Sequence, residues 1–160
     1  MATPHPARVG AVIIPLKGFS KAKERLAPVF DAHTRSQLAM LTAHMVIEAA
    51  RKLPDPPRVV VGPDDEASAE WARNKGAETL IESRGLNPSI DLAYRHIGNS
   101  ADWVMVCHSD IVHPQRLAAL PSPSTSQVII VRDRHREGTN VMVLPANKDF
   151  EFHYGVGSAE

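Results

Sequence analysis

Four cations, Lys17, Lys21, Lys23 and Arg25, fall within nine positions directly after a short apolar run, Gly10–Ile14. The run reads as a buried first strand that breaks at Pro15 into a loop carrying Gly18 and Ser20 and then opens a helix. Free backbone N–H groups, a positive helix terminus and side-chain charge meeting at one place are what a phosphate requires. The competing reading is a solubilising loop that carries Lys and Arg for hydration alone. The loop lacks G-x-x-x-x-G-K-[ST], so it is not a P-loop, and it lacks the G-x-G-x-x-G dinucleotide fingerprint.

Asp110 is the sharpest single candidate outside that loop. It lies just past an apolar segment, where a carboxylate could hold Mg²⁺ against phosphates, or could simply stabilise a turn. His108 and His113 bracket it, but a zinc site needs a third ligand at a convincing spacing. Cys107 ends the same apolar segment and reads as an inert core thiol. Ser109 is not set in a G-x-S-x-G elbow, which argues against hydrolase chemistry. Trp71 and Trp103 read as packing residues.

The elements that must position these groups alternate between strand and helix. A helix is predicted over 31–52, with Leu38, Leu41, Met45 and Ala49 on its inner face and Asp31 or Thr34 as its cap. Pro54, Pro56 and Pro57 end it. Arg58–Val61 is a β-branched strand, followed by the turn Gly62-Pro63-Asp64-Asp65 and a helix over 66–75 that stops at Gly76. A third strand is predicted over 78–81, a helix over 88–97, and a strongly apolar strand over 102–107. A short helix follows Pro114, the run 121–126 is a polar linker, and strands follow over 127–131 and 140–144. Nearly continuous apolar strands between helices predict a mostly parallel sheet covered on both faces, a three-layer α/β/α fold. Ligands of such sheets bind beyond the C-terminal strand ends. Five segments then converge: the cationic loop, the 62–65 turn, Ser83-Arg84-Gly85-Leu86-Asn87, His108-Ser109-Asp110, and 133–140.

The chain has 160 residues, with 18 basic and 18 acidic side chains. That length suits one domain, expected over 9–160 with residues 1–8 as a loose arm. The balanced charge argues against a nucleic-acid partner and makes the local cluster at 17–25 stand out. One cysteine allows no internal disulfide and fits a reducing, cytoplasmic setting. No apolar stretch approaches the ~18 residues of a membrane helix, so no membrane partner is expected.

Several motifs resemble those of the 2-phospho-L-lactate or phosphoenolpyruvate guanylyltransferases of coenzyme F-420 biosynthesis. Pro15-Leu16-Lys17 with Ala22-Lys23-x-Arg25-Leu26-Ala27-Pro28 is similar to their N-terminal signature. Gly85-Leu86-Asn87, Asp133-Arg134 with Gly138-Thr139-Asn140, and Tyr154-Gly155-Val156-Gly157-Ser158 follow in the family's order over about residues 9–158. The resemblance implies a nucleotidyltransferase-like fold and transfer of GMP from GTP to a small phospho-acid with release of pyrophosphate. It implies that Lys17, Lys23 and Arg25 orient phosphates. Pro15, Leu16, Pro63, Asp64, Gly85 and Asn87 would lie near the nucleotide, and Thr139, Gly155 and Ser158 would hold the acceptor. Asp110 matches the family's Mg²⁺-binding aspartate.

Two departures from the family pattern stand out. The metal aspartate is ordinarily followed by Leu-Pro, whereas this chain reads Asp110-Ile111-Val112. The family also continues beyond the Gly-x-Gly-Ser loop to a second metal-binding aspartate, and this sequence ends at Glu160. A shortened chain, a supplying partner, or a binding protein without turnover are the readings this leaves, with a homodimer expected at the unprotected sheet edge. A nucleotidyltransferase with another acceptor, such as a molybdopterin or sugar phosphate, is a further alternative.

Overall fold

The structure, a computed structural model, describes residues 8–120, 126–155 and 158. Six strands form one sheet: β1 (Gly10–Leu16), β2 (Arg58–Pro63), β3 (Glu78–Thr79), β4 (Trp103–Cys107), β5 (Ile129–Arg132) and β6 (Thr139–Pro145). Their order is β3-β2-β1-β4-β6-β5. The first four are parallel, while β6 runs antiparallel to both β4 and β5. Helices α1 (Ala32–Arg51) and α2 (Glu66–Asn74) pack on one face, and α3 (Leu86–Ile97) packs on the other. This is the expected three-layer arrangement around a mixed, mostly parallel sheet.

Strand β1 is apolar throughout and buried along its whole length, as a central parallel strand must be. Its alternate residues feed two cores. Val12 and Ile14 meet Ala43, Val46 and Ile47 of α1, whereas Ala11 and Ile13 meet Ile90, Ala93 and Ile97 of α3. The strand does not break at Pro15 but runs on to Leu16. Leu16 turns its carbonyl toward β2, accepting from the Asp64 N–H at 3.2 Å. Pro15 therefore faces the β4 side, where pairing has already ended at Ile13 opposite Val106, and its missing N–H costs no ladder bond.

The inner face of α1 also differs from the sequence expectation. Ala39, Ala43, Val46, Ile47 and Ala50 are buried, while Leu41 and Met45 are 55% and 42% exposed. Alanines let the helix lie close to the sheet, so the larger apolar residues are displaced to the flank. Asp31 is the cap, accepting from the Thr34 N–H at 2.7 Å. The cationic segment does not open this helix. It forms two 3-10 turns, Phe19–Lys21 and Glu24–Leu26, and α1 begins only at Ala32.

Element bounds elsewhere shift by small amounts. β3 is two residues long, although Leu80 and Glu82 still donate backbone N–H groups to Val61 and Pro63. α3 starts at Leu86, ahead of Pro88, which needs no N–H in a first turn. The linker predicted over 121–126 and the arm over 1–8 lie almost wholly outside the described residues. Among the described residues no helix is long and apolar enough to cross a membrane.

Candidate active site

β1, α1, β2, α2 and β3 wind in one direction, and β4 then returns to the other side of β1. The order reverses between β1 and β4, and a crevice opens there beyond the strand ends. A cavity of about 430 Å³ occupies it. β1 and its loop contribute Pro15, Leu16 and Lys17, and β2 contributes Gly62 and Asp64. Glu82, Gly85, Leu86 and Ser89 line it from the segment entering α3 and from that helix, and His108, Ser109 and Asp110 line it from the end of β4.

Two close approaches shape this crevice. The Gly18 N–H donates to Asp64 Oδ1 at 2.6 Å. A Cβ on Gly18 would stand 2.1 Å from Asp65 Oδ2 and 3.0 Å from Asp64 Oδ1, so a larger residue there would push both carboxylates out of place. Asp65 meanwhile caps α2, accepting from the Ser68 N–H at 2.8 Å. At the cavity floor, Ser89 Oγ donates to the Gly62 carbonyl at 3.2 Å, and a Cβ on Gly62 would meet that hydroxyl at 2.3 Å.

The sequence-derived candidates fall into three groups. Pro15, Leu16, Lys17, Asp64, Gly85 and Asp110 line the cavity. Lys17 is exposed and stands 3.8 Å from Glu24. Pro63 ends β2, buried beside them. Lys23 and Arg25 lie on the adjoining loop outside the lining, Lys23 with a left-handed backbone (φ 52°) between the two 3-10 turns. Asn87 also lies outside the lining, and both its polar atoms engage one residue. Its Nδ2 donates to the Tyr154 carbonyl at 3.1 Å, and the Tyr154 N–H donates to its Oδ1 at 2.7 Å. Thr139, Gly155 and Ser158 come together: Thr139 Oγ1 donates to the Ser158 carbonyl at 3.1 Å, and the Ser158 N–H donates to the Gly155 carbonyl at 3.2 Å. The intervening Val156 and Gly157 lie outside the described residues. This trio connects to the cavity through Tyr154, whose ring meets that of His108 edge-on at 5.5 Å.

Glu82 and Ser89 are the lining residues that lie outside the segments the sequence brought to the ligand side. The available signal for Glu82 was its charge partner two residues on. Its Oε1 accepts from the Arg84 N–H and Nε at 2.9 Å each, and its Oε2 accepts from Arg84 Nη2 at 2.6 Å. Those guanidinium contacts, aided by the Arg84 backbone N–H, hold the Glu82 carboxyl down at about 2. Burial pushes the Cys107 thiol up to about 12, which leaves it protonated and inert. Burial likewise raises the Tyr154 phenol.

Asp110 accepts no hydrogen bond among the described residues and projects exposed at the end of β4. No cluster of three or more His, Cys, Asp or Glu side chains suited to a metal exists among the described residues. One free carboxylate fits Mg²⁺ delivered with a substrate's phosphates, since that ion is usually held by one or two carboxylates, phosphate oxygens and water. It does not fit an all-protein cage.

Comparison with known proteins bears on this geometry. The family model described as "Guanylyl transferase CofC like" matches residues 10–159. A phosphoenolpyruvate guanylyltransferase of Mycolicibacterium smegmatis is 35% identical over 141 residues, covering 82% of this chain and 62% of that protein. One of Chloroflexus aggregans is 31% identical over 157 residues, covering 92% of this chain and 78% of that protein. The chain thus spans less than two thirds of the length of the M. smegmatis relative. A Desulfovibrio desulfuricans G20 structure described as a nucleotide-diphospho-sugar transferase superposes with a TM-score of 0.65 at 12% identity, covering 88% of this chain and 64% of its own, a likeness of fold. With the family model matching nearly end to end, the chain belongs to the CofC-like guanylyl transferase family.

Proposed function

We propose that the chain transfers GMP from GTP to a small phosphorylated carboxylic acid, releasing pyrophosphate. Phosphoenolpyruvate is the first acceptor to consider, because the M. smegmatis and C. aggregans relatives carry that name. 2-Phospho-L-lactate and 3-phosphoglycerate share its phosphate and carboxylate. Through the family resemblance, the reading extends to coenzyme F-420 biosynthesis.

The observation that carries it is the cavity at the switch point, with the Lys17 ammonium on one rim and the unpaired Asp110 carboxylate on another. Two polyanions must meet there, and their repulsion is the main obstacle to reaction. Lys17 neutralises phosphate oxygens, with Lys23 and Arg25 adding positive field from the adjoining loop. By exchanging its internal hydrogen bonds, the Thr139–Ser158–Gly155 group turns hydroxyl and backbone donors to the acceptor's carboxylate or phosphate. An acceptor phosphate oxygen attacks the α-phosphorus of GTP in line; the new P–O bond forms as the bond to the bridging β-phosphate oxygen breaks, and pyrophosphate departs. No protein nucleophile is needed, since positioning and charge stabilisation carry phosphoryl-type transfer. Mg²⁺ held at Asp110 would supply additional charge neutralisation on the phosphates.

Pyrophosphate release from GTP and Mg²⁺ with each of the three acceptors in turn tests the reading. Release with phosphoenolpyruvate is expected. Binding of GTP with no release for any acceptor would overturn transfer. It would favour a binding protein of the same fold, a reading supported by the lack, among the described residues, of a cluster of three or more side chains suited to a metal.

A further inference from the structure

The two ends of the cavity differ in chemistry. Lys17 and Asp110 follow β1 and β4, on either side of the switch point, and mark the polyphosphate end. The opposite end is built beyond β2 and β3, about 14 Å from β4 at ~4.8 Å per strand spacing. Leu86 gives it apolar surface, on which a flat base can lie.

The polar groups at that end are few, and most are already committed. The Ser89 hydroxyl is buried and donates to the Gly62 carbonyl. Asp64 Oδ1 holds the Gly18 N–H. Glu82 is different. A carboxylate offers about four lone-pair positions. Arg84 fills two on Oε1 and one on Oε2, leaving one on Oε2. The Glu82 side chain is 10% exposed, and it lines the cavity.

We propose that Glu82, fixed in place by the Arg84 fork, reads the nucleotide's base and selects guanine by accepting from its Watson–Crick N–H edge. This rests on the cavity being the GTP site. Guanine presents adjacent N1–H and 2-amino donors, whereas adenine presents a lone pair at N1. Adenine would therefore set lone pair against lone pair, and discrimination comes from that repulsion as much as from the guanine contact.

Equilibrium binding of GTP, ATP and tripolyphosphate with Mg²⁺ to the chain, E82Q and E82A tests the assignment. The unmodified chain should prefer GTP over ATP by at least tenfold, and both variants should lose about that factor, the scale for one charge-assisted hydrogen bond. Tripolyphosphate should bind all three proteins alike. Undiminished GTP preference in E82Q and E82A overturns the proposal, as does equal weakening of GTP and tripolyphosphate. The outcomes for the two readings separate. Lost preference in the variants, in a chain that releases no pyrophosphate, refutes transfer and leaves Glu82 as the base reader. Pyrophosphate release from GTP and ATP alike refutes Glu82 alone.

Discussion

Replacing Asn87 by Ala should loosen the acceptor side of the site and leave the nucleotide side intact. Its side chain makes two hydrogen bonds to the Tyr154 backbone, at 3.1 and 2.7 Å, bridging 67 residues of sequence. Each neutral bond is worth about 0.5–1.5 kcal/mol net, so the pair holds the Tyr154 segment down by about 2 kcal/mol. Losing it raises the undocked population roughly thirtyfold, at about 1.4 kcal/mol per factor of ten. Tyr154 leads directly into Gly155 and Ser158, so the docking of those residues weakens with it. Amide exchange at Tyr154 should accelerate by about that factor, and KM for phosphoenolpyruvate should rise far more than KM for GTP. Unchanged exchange at Tyr154 together with a selective loss of GTP affinity would refute this reasoning and place the Asn87 amide on the nucleotide.

Further perturbations probe other parts of the molecule. Gly62→Ala drives a Cβ to 2.3 Å from Ser89 Oγ and should destabilise the fold by about 1–3 kcal/mol in a denaturant titration, with Ser89→Ala added to it recovering part of the loss. Lys17→Ala should weaken tripolyphosphate binding by about 1–3 kcal/mol at low salt, and unchanged affinity would remove the phosphate role of the loop. The Arg58 guanidinium, followed by His96, lowers the Glu78 carboxyl below its ordinary value of 4.5. Glu78 thus adds stability above that value and loses it as the pH falls through the lowered one, so Glu78→Gln should flatten the acid limb of a thermal-melt series. Cys107, held protonated up to about 12, should resist thiol reagents at pH 8 in the native chain and react promptly in denaturant.

Much of this architecture is legible in the residues because buried parallel strands write themselves as unbroken apolar runs. Gly10–Ile14 and Trp103–Cys107 need no context to be read, and parallel strands dictate that the loops after them converge. Helix α1 was harder. Its contact with the sheet combines Val46 and Ile47 with Ala39, Ala43 and Ala50, which carry little hydrophobic weight, while Leu41 and Met45 carry more and point outward. Proximity to the sheet, not side-chain size, decides the face, and a one-dimensional pattern does not encode proximity. Glu82 escaped for a related reason. Its place in the cavity depends on the backbone path between β3 and α3 and on the Arg84 fork, neither of which spacing reveals. The sequence also suggested a helix terminus behind the cations; Asp31 instead starts α1 six residues beyond Arg25.

The bond from the Gly18 amide to Asp64 changes what phosphate binding at this loop means. The protein already fills that amide with an anion of its own, at 2.6 Å. A phosphate arriving there enters by substitution, displacing one oxyanion with another, so a single contact yields little net gain. A small anion such as inorganic phosphate is poorly placed to make that exchange. A triphosphate that engaged Lys17 and other donors at the same time would be better placed to displace the carboxylate. If the loop takes the phosphates of GTP, the Asp64 carboxylate sets a threshold that several simultaneous contacts must overcome.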